Sequence, residues 1–124
     1  MTPFAPRNAA VWFEIPVSDL DRAKAFYGAV LGAVLRDEVA GGSPTAVFPA
    51  AGQDSVAGHL YAGKPAAAGT GNTVHLQSPE PLEAALDRVR TNGGSVVSDI
   101  IAIPAGRFAY CLDPDGNSIG LFGR

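Results

Sequence analysis

The sequence of 124 residues has few of the features that mark secreted, membrane or disulfide-bonded proteins. Its single cysteine, Cys111, excludes an intrachain disulfide and indicates an ordinary reduced thiol in the interior. No stretch approaches the roughly 18 apolar residues of a membrane-spanning helix, and residues 1–10 lack the apolar segment of a secretory signal peptide. We therefore expect a cytoplasmic protein with no membrane partner.

Charge is sparse, and no run of one sign occurs. Charged residues make up 17% of the chain, the formal net charge is −3, and the sequence pI is about 5.2. Such a composition lacks the basic surface that binds nucleic acids or anionic membranes, so no nucleic-acid partner is expected. Hydrophobic residues make up 47% of the chain, which is enough for a packed core and argues against disorder.

Several familiar catalytic motifs are also missing. The glycine pairs at 41–42 and 93–94 have neither the spacing nor the following helix of a phosphate-binding loop. Cys111 has no neighbouring signal for a lowered pKa, so nucleophilic catalysis by this thiol is not expected. Asp113 and Asp115 belong to a predicted turn and are not paired catalytic acids. We expect no bound cofactor.

What the chain does contain is a clear strand, turn and helix at residues 12–32, WFEIPVSDLDRAKAFYGAVLG. Residues alternate there with the period of a two-faced strand, which predicts a strand at about 10–16. Helical spacing follows, which predicts a helix from Leu20 to Leu31 with Ser18 or Asp19 as its N-cap. Gly32 suits the left-handed position that follows a helix.

The same order of elements is then repeated. Strands are predicted at 33–39, 45–48 and 56–62 in the first half. In the second half they are predicted at 73–77, from Val96 and Val97 onward, at 108–112 and at 118–122. Apolar spacing predicts the second helix, after residues 78–81. Four pairs of similar residues are 62 positions apart: Leu20 and Leu82, Ala23 and Ala85, Gly32 and Gly94, Val34 and Val96. Each half therefore has the order β-α-β-β-β.

One sheet with one helix cannot cover both of its own faces, so two such units should pack together. We expect an α+β protein with one domain over residues 1–124, made of module 1 (10–62), a linker (63–71) and module 2 (72–123). The two tandem βαβββ modules should form a curved eight-stranded mixed sheet, a cup with the helices outside.

Four segments carry a family resemblance: VSDLDRA at 17–23, FY at 26–27, LG at 31–32, and DPDGN at 113–117 before Ile119. Together they resemble the vicinal oxygen chelate superfamily, which includes glyoxalase I, extradiol dioxygenases, and bleomycin and fosfomycin resistance proteins. The similarity covers about residues 10–123 and is greatest to short bacterial glyoxalase-related proteins. It implies a cup of paired modules and a homodimer.

The resemblance also implies where a metal would bind. Relatives with a metal carry His, Glu or Gln on the first strand of each module and Glu on the last strand. These positions fall on Trp12 and Thr73, and on Gly120 with Gly58 or His59 as its counterpart. Indole has no lone pair to donate, glycine has no side chain, and a single hydroxyl is a weak ligand. We therefore expect that the usual metal ligands are lost and that no metal binds there.

Polar and aromatic side chains remain on the predicted inner face of the cup. Strand alternation places Glu14 with Trp12, and it turns His59 and His75 toward the same cavity. Glu14 is the candidate catalytic base, because desolvation in an apolar cleft raises the pKa of a carboxyl; its other interpretation is a solvent-facing or paired charge. The candidate ligand-binding residues are Trp12, His59, Tyr61, His75, Gln77, Tyr110 and Phe122.

These residues predict a protein that binds a small, partly apolar or planar organic molecule. It would act by binding alone, or by metal-independent isomerase or lyase chemistry with Glu14 as base. Two alternatives stay open. One is a metal-dependent lyase or dioxygenase that uses Glu14, His59 and His75 as displaced ligands. The other is an antibiotic-sequestering resistance protein that holds a cationic guest between two chains.

Overall fold

The computed structural model describes residues 2–124 and contains two helices and nine strands within that range. In chain order they are β1 (Phe13–Val17), α1 (Leu20–Leu31), β2 (Arg36–Ala40), β3 (Ser43–Val47), β4 (Gly58–Ala62), β5 (Val74–Gln77), α2 (Leu82–Thr91), β6 (Ser95–Val96), β7 (Ile101–Ile103), β8 (Gly106–Leu112) and β9 (Ser118–Gly123). The predicted α+β class is confirmed.

Helix α1 begins and ends as its sequence predicts. Of the two candidate caps, Asp19 is the one used, since its side chain accepts a hydrogen bond from the backbone N–H of Arg22 at 3.0 Å. At the other end Gly32 lies in the left-handed region, with φ of 60°, and its N–H donates to the carbonyl of Gly28. The buried face consists of Ala23, Phe26, Tyr27 and Val30.

Helix α2 has the predicted apolar stripe but a weaker start. Pro81 occupies its N-cap position, and no side chain caps the first turn. The side-chain amide of Asn92 donates to the carbonyl of Arg88 at 2.8 Å and closes the other end. The buried face consists of Leu82, Ala85, Leu86 and Val89.

The strands form two separate mixed sheets. Sheet A has the order β1-β4-β3-β2, and sheet B has the order β5-β9-β8-β6, with β7 also paired to β8. In each sheet the first strand of its half runs parallel to the last strand, and the other pairs are antiparallel. The predicted single eight-stranded sheet is thus consistent with the structure only in part.

The ninth strand arises because the strand predicted to begin at Val96 and Val97 is interrupted after β6 and resumes as β7. Segments β6 and β7 both pair with β8, and the interruption lies opposite Tyr110. There the N–H of Val97 donates to the Tyr110 carbonyl at 2.9 Å, and the N–H of Tyr110 donates to the Ser98 hydroxyl at 2.8 Å. The Ser98 hydroxyl oxygen thus accepts the hydrogen bond that a backbone carbonyl would accept in a regular strand pair, and the strand bends at Ser98.

Both helices contribute to one core. Helix α1 packs on sheet A, α2 packs on sheet B, and the helices also contact each other. The Arg88 guanidinium Nε donates to the Val30 carbonyl at 3.1 Å across this helix contact. A single cluster of buried apolar residues contains side chains from both halves of the chain, as expected for two units that cannot each cover a sheet alone.

The two halves share one strand register. Glu14 lies opposite His59 in β1 and β4, and His75 lies opposite Gly120 in β5 and β9. Four of the five pairs in the first ladder thus have a counterpart 61 residues later, one less than the separation of 62 between the helices. This offset makes His59, rather than Gly58, the counterpart of Gly120.

The turn at 113–117 joins the second half of the chain to the first. The Tyr27 hydroxyl donates to the buried Asp113 carboxylate at 2.7 Å. Asp115 accepts hydrogen bonds from the Ser18 backbone N–H at 3.1 Å, from the Ser18 hydroxyl, and from the Arg22 guanidinium at 2.9 Å. The side-chain amide of Asn117 donates to the Pro16 carbonyl at 2.8 Å.

The acid dependence of stability follows from Asp115. Burial acts to raise the pKa of this carboxyl, but the hydrogen bonds from Ser18 and Arg22 outweigh it, so the pKa of Asp115 is lowered. A carboxyl with a lowered folded-state pKa stabilises the fold above its unfolded pKa, and this contribution is lost as pH falls through the folded-state value.

We therefore expect Ser18→Ala to lower the free energy of unfolding by about 1 kcal/mol at pH 7. The loss should begin to shrink as the pH falls below the unfolded-state pKa of about 4, and it should disappear below the lowered folded-state pKa, where Asp115 is protonated in both states. Urea unfolding at a series of pH values measures this. Ser43→Ala, at an exposed serine of β3, is the matched control and should change little. An equal loss at every pH would contradict the role given to Asp115.

Candidate functional site

Each sheet has one face covered by its helix and one face turned away from it, which we call the open face. In β1 and β4 the buried residues Ile15 and Leu60 point to α1. Strand alternation places Glu14, His59 and Tyr61 on the open face of sheet A. The predicted assignment of these side chains to one face therefore agrees with the register.

Three of the predicted site residues form a chain of polar contacts on sheet A. The indole N–H of Trp12 donates to Nδ1 of His59 at 3.0 Å. Nε2 of the same ring lies 3.2 Å from Oε1 of Glu14. Indole is a donor only, so Nδ1 must carry a lone pair, and the ring proton lies on Nε2 toward the carboxylate. This arrangement requires a neutral His59, and the Tyr61 ring packs edge-on against it with centroids 6.1 Å apart.

Glu14 is not in the environment that the sequence predicted for it. Its side chain is 61% exposed, whereas that of His59 is 12% exposed. A carboxylate in contact with water is not desolvated, so burial supplies no basis for activating Glu14 as a base. The geometry matches the other interpretation, that of a solvent-facing and paired charge, and the catalytic role of Glu14 stays a prediction.

The open face of sheet B carries a second, aromatic cluster. The ring of His75 lies 5.3 Å from that of Phe108 and 5.8 Å from that of Tyr110, and these two rings are 5.3 Å apart. All three contacts are edge-to-face or strongly tilted, the geometry that aromatic pairs prefer. Phe122 lies opposite both Phe108 and Gln77 in the ladder and shares their face.

Glycine at position 120 makes room for this cluster. A Cβ atom there would lie 2.2 Å from Nδ1 of His75, so the imidazole occupies the volume that a side chain would need. The counterpart of Gly120 in the first half is His59, which carries a ring of its own. Each half therefore places one imidazole on its open face, but from different strands, His59 from β4 and His75 from β5.

The predicted site residues fall into these two clusters and are not all brought together. On sheet A, His59 contacts Trp12, Glu14 and Tyr61, whereas on sheet B His75 contacts Tyr110. Within residues 2–124, no group of three or more His, Cys, Asp or Glu side chains could hold a metal ion. The alternative that uses Glu14, His59 and His75 as three displaced ligands is therefore not supported by the geometry.

The side chains at the four positions where the resemblance implies metal ligands do not suit a divalent cation. Trp12 presents a donor N–H, and that donor already engages Nδ1 of His59. The Thr73 hydroxyl shares a hydrogen bond of 2.6 Å with Ser118, and Gly120 has no side chain. These residues do not fit a metal, because at most one nitrogen of His59 remains for coordination.

Two cavities lie along the boundary between β1 and β5, whereas the sequence predicted a single cavity shared by Glu14, His59 and His75. One of about 560 Å³ is lined by His75 and Gln77 together with Phe48 and Pro79. The other, of about 380 Å³, is lined by Trp12, Glu14, Pro16, Asn117 and parts of the segment 66–72. The only sequence signal for a cavity here was the length of the connection between β3 and β4, which has ten residues, whereas the turn between β8 and β9 has five.

Cys111 and the helices add nothing to the candidate site. Burial raises the pKa of the Cys111 thiol to about 11, which leaves it protonated and unsuited to nucleophilic attack.

Within residues 2–124, neither helix is long and apolar enough to cross a membrane.

Alanine substitutions at Gly120 and Gly58 test the packing described for the two halves. In Gly120→Ala the three atoms nearest to the new Cβ all belong to the imidazole of His75, an exposed side chain that can turn toward solvent, so we expect stability to change by less than about 1 kcal/mol. The His75 ring should leave Phe108 and Tyr110, and its proton resonances should lose their ring-current shifts. In Gly58→Ala the Cβ would lie 2.4 Å from the Phe13 carbonyl oxygen, which is backbone. That variant should lose about 2 kcal/mol or more. Unmoved His75 resonances in Gly120→Ala would contradict the packing described.

Known structures share this fold. A glyoxalase/bleomycin resistance protein from Albidiferax ferrireducens T118 superposes with a TM-score of 0.72 at 24% identity, covering 94% of this chain and 99% of that one. The trypanothione-dependent glyoxalase I of Leishmania major gives a TM-score of 0.67 at 21% identity, covering 91% and 84%. Fosfomycin resistance protein FosX from Mesorhizobium loti gives 0.65 at 16% identity, covering 97% and 94%.

At these identities the structural likeness shows the fold alone. No curated protein matches the chain. The model of the Glyoxalase/Bleomycin resistance protein/Dioxygenase superfamily matches residues 9–121, nearly the whole sequence. The resemblance that was read from VSDLDRA and DPDGN is thereby confirmed, and the chain belongs to the Glyoxalase/Bleomycin resistance protein/Dioxygenase superfamily.

Proposed function

We propose that this protein binds a small, partly apolar or planar organic molecule on its open face, without a metal at the positions that metal-binding relatives use. The hydrogen bond from Trp12 to His59 is the observation that carries the proposal. It engages Nδ1 of the imidazole, and it holds an indole that is 47% exposed at the surface. A fixed, exposed indole is a stacking surface.

The groups around Trp12 suit recognition better than turnover. His59 is held neutral with its proton toward Glu14, and the exposed carboxylate can accept a hydrogen bond from an O–H or N–H of a guest. A base needs a carboxyl that water does not already stabilise, and Glu14 is well solvated. Binding alone is thus the form of the proposal that we favour, and isomerase or lyase chemistry with Glu14 as base is its narrower form.

Trp12 is the only tryptophan of the chain, so its emission reports directly on this site. We expect a planar probe such as 2-naphthol to quench Trp12 fluorescence saturably, with the same affinity in the presence of excess EDTA. His59→Ala frees the indole and should weaken binding about fivefold. Val34→Ala is the control, because Val34 is 86% exposed and lies outside the described clusters. Quenching that EDTA abolishes would favour the metal-dependent alternative, and no quenching would contradict the proposal.

We also propose that two copies of the chain form a homodimer, each copy a domain of module 1 (10–62), linker (63–71) and module 2 (72–123). The apolar side chains exposed on the open face of sheet B support this assembly: Val97, Ile101, Ile103 and Tyr110. Exposed apolar surface of this kind is typical of protein interfaces. A cytoplasmic location is proposed as well, in keeping with the free thiol of Cys111.

Sedimentation velocity tests the dimer. We expect a species of twice the 12.7 kDa chain mass. Ile103→Asp places a charge in the apolar patch and should shift the protein to monomer, since an unpaired charge is costly to bury. Val34→Asp adds the same charge at an exposed residue outside the patch and should leave the dimer intact. A wild-type protein that stays monomeric at high concentration would refute the proposal.

A further inference from the structure

Within residues 2–124, no strand ladder joins β1 to β5, and we call the boundary between these two strands the seam. Strand β1 pairs there only with β4, and β5 pairs only with β9. The N–H of Ser78 donates to the Phe122 carbonyl at 2.8 Å. Because backbone groups alternate in direction along a strand, the carbonyl of Gln77 points away from β9 and toward the seam. The N–H of Gly63 donates to the Val17 carbonyl at 3.0 Å, so the Val17 carbonyl points toward β4. By the same alternation, the carbonyl of the preceding residue, Pro16, points to the seam.

In one half of the molecule the seam carbonyl is satisfied by a side chain. The amide nitrogen Nδ2 of Asn117 donates to the Pro16 carbonyl at 2.8 Å and to the Asp113 carboxylate at 2.9 Å. The backbone N–H of Asn117 also donates to Asp113 at 2.9 Å. A primary carboxamide, held firmly by the turn, is therefore the group that this chain itself uses at the seam.

The other half lacks that carboxamide. The strand register relates the two halves by 61 residues, so Gln77 is the counterpart of Pro16, and Val56 is the counterpart of Asn117. Valine has no hydrogen-bond donor in its side chain. Among residues 2–124, no side chain donates to the Gln77 carbonyl from the seam, and the five-residue turn is replaced by the ten residues 48–57.

A cavity occupies the place that the carboxamide leaves. Its volume of about 560 Å³ lies within the usual range for sites of small molecules. Most of its wall is apolar and includes Phe13, Leu31, Phe48, Val56 and Pro79, and its polar side chains belong to Ser55, His75, Gln77 and Ser78. Among residues 2–124, no Asp, Glu, Lys or Arg lines this cavity, so a charged guest would lose its hydration without a partner.

We propose that this seam pocket is a second binding site, which takes a neutral small molecule with an apolar body and a primary carboxamide. The ligand amide donates to the Gln77 carbonyl as Asn117 donates to Pro16, and the apolar body packs against Phe48, Val56 and Pro79. The site goes beyond the open-face function, because its apolar wall and its carbonyl belong to the seam rather than to the Trp12 cluster.

Three probes of nearly equal shape test this chemistry: 2-naphthamide, methyl 2-naphthoate and 2-naphthoate. Amide ¹H–¹⁵N spectra of the full chain follow the backbone N–H groups of Ser55, Ala57 and Ser78, and the indole N–H of Trp12. We expect 2-naphthamide to shift the seam resonances saturably and to leave Trp12 unmoved. The ester, which has no donor, should bind about fivefold more weakly, and the carboxylate should not bind.

A substitution that copies the other half of the molecule provides the decisive variant. Val56→Asn supplies the missing carboxamide and should weaken binding of 2-naphthamide at least tenfold. Val56→Leu keeps the pocket apolar and should bind within twofold of the parent; Val56 is 43% exposed, so both variants should fold.

Three results would overturn the proposal: equal affinity for amide and ester, unchanged binding in Val56→Asn, or no shift at the seam. Shifts confined to Trp12 and Tyr110 would place the probe on the open face, which supports the proposed function while refuting the seam site. A failure of 2-naphthol to quench Trp12 would refute the open-face function and leave the seam result standing.

Discussion

The packing of the two halves depends on the hydrogen bonds around Asp113. Its carboxylate organises the turn 113–117 by accepting the N–H groups of Asp115 and Asn117, both at 2.9 Å. The same carboxylate receives the Tyr27 hydroxyl from α1. Burial, together with the Asp113 charge, raises the pKa of Tyr27 well above its usual value, so the phenol remains a donor. A turn at the end of the chain thereby fixes the position of the first helix.

The elements themselves were predictable because local rules decide them. The N-cap preference of Asp19 and the left-handed position of Gly32 depend on neighbouring residues alone, and both were read correctly from the sequence apart from the choice between Ser18 and Asp19. The division into two hydrogen-bonded sheets was not predictable, because alternation along β1 and β5 does not say whether those strands pair with each other. The break at Ser98 was missed for a similar reason, since it depends on a hydroxyl meeting Tyr110 across the ladder.

The candidate site was predictable in its faces but not in its contacts. Strand alternation assigned Glu14, His59 and His75 to open faces, as the register has them. It could not give the distance between two sheets, and so it placed both imidazoles in one cavity although each joins its own cluster. The hydration of Glu14 likewise depends on how neighbouring elements cover it, which no periodicity encodes. Phe108, a central member of the aromatic cluster on sheet B, was not among the predicted site residues.

An internal repeat supplies its own comparison, since one half shows what a given position can do in the other. Positions 59 and 120 correspond in the two halves. His59 itself places an imidazole on the open face of sheet A, whereas Gly120 leaves room on sheet B for the imidazole of His75. Positions 117 and 56 also correspond. Asn117 donates a hydrogen bond to the Pro16 carbonyl at the seam, whereas Val56 has no donor for the Gln77 carbonyl and lines a cavity there. The two halves therefore differ in the polar side chains that they carry at positions related by the shared register. The proposed seam site depends on that asymmetry, because a ligand there would replace a group that the matching half provides for itself.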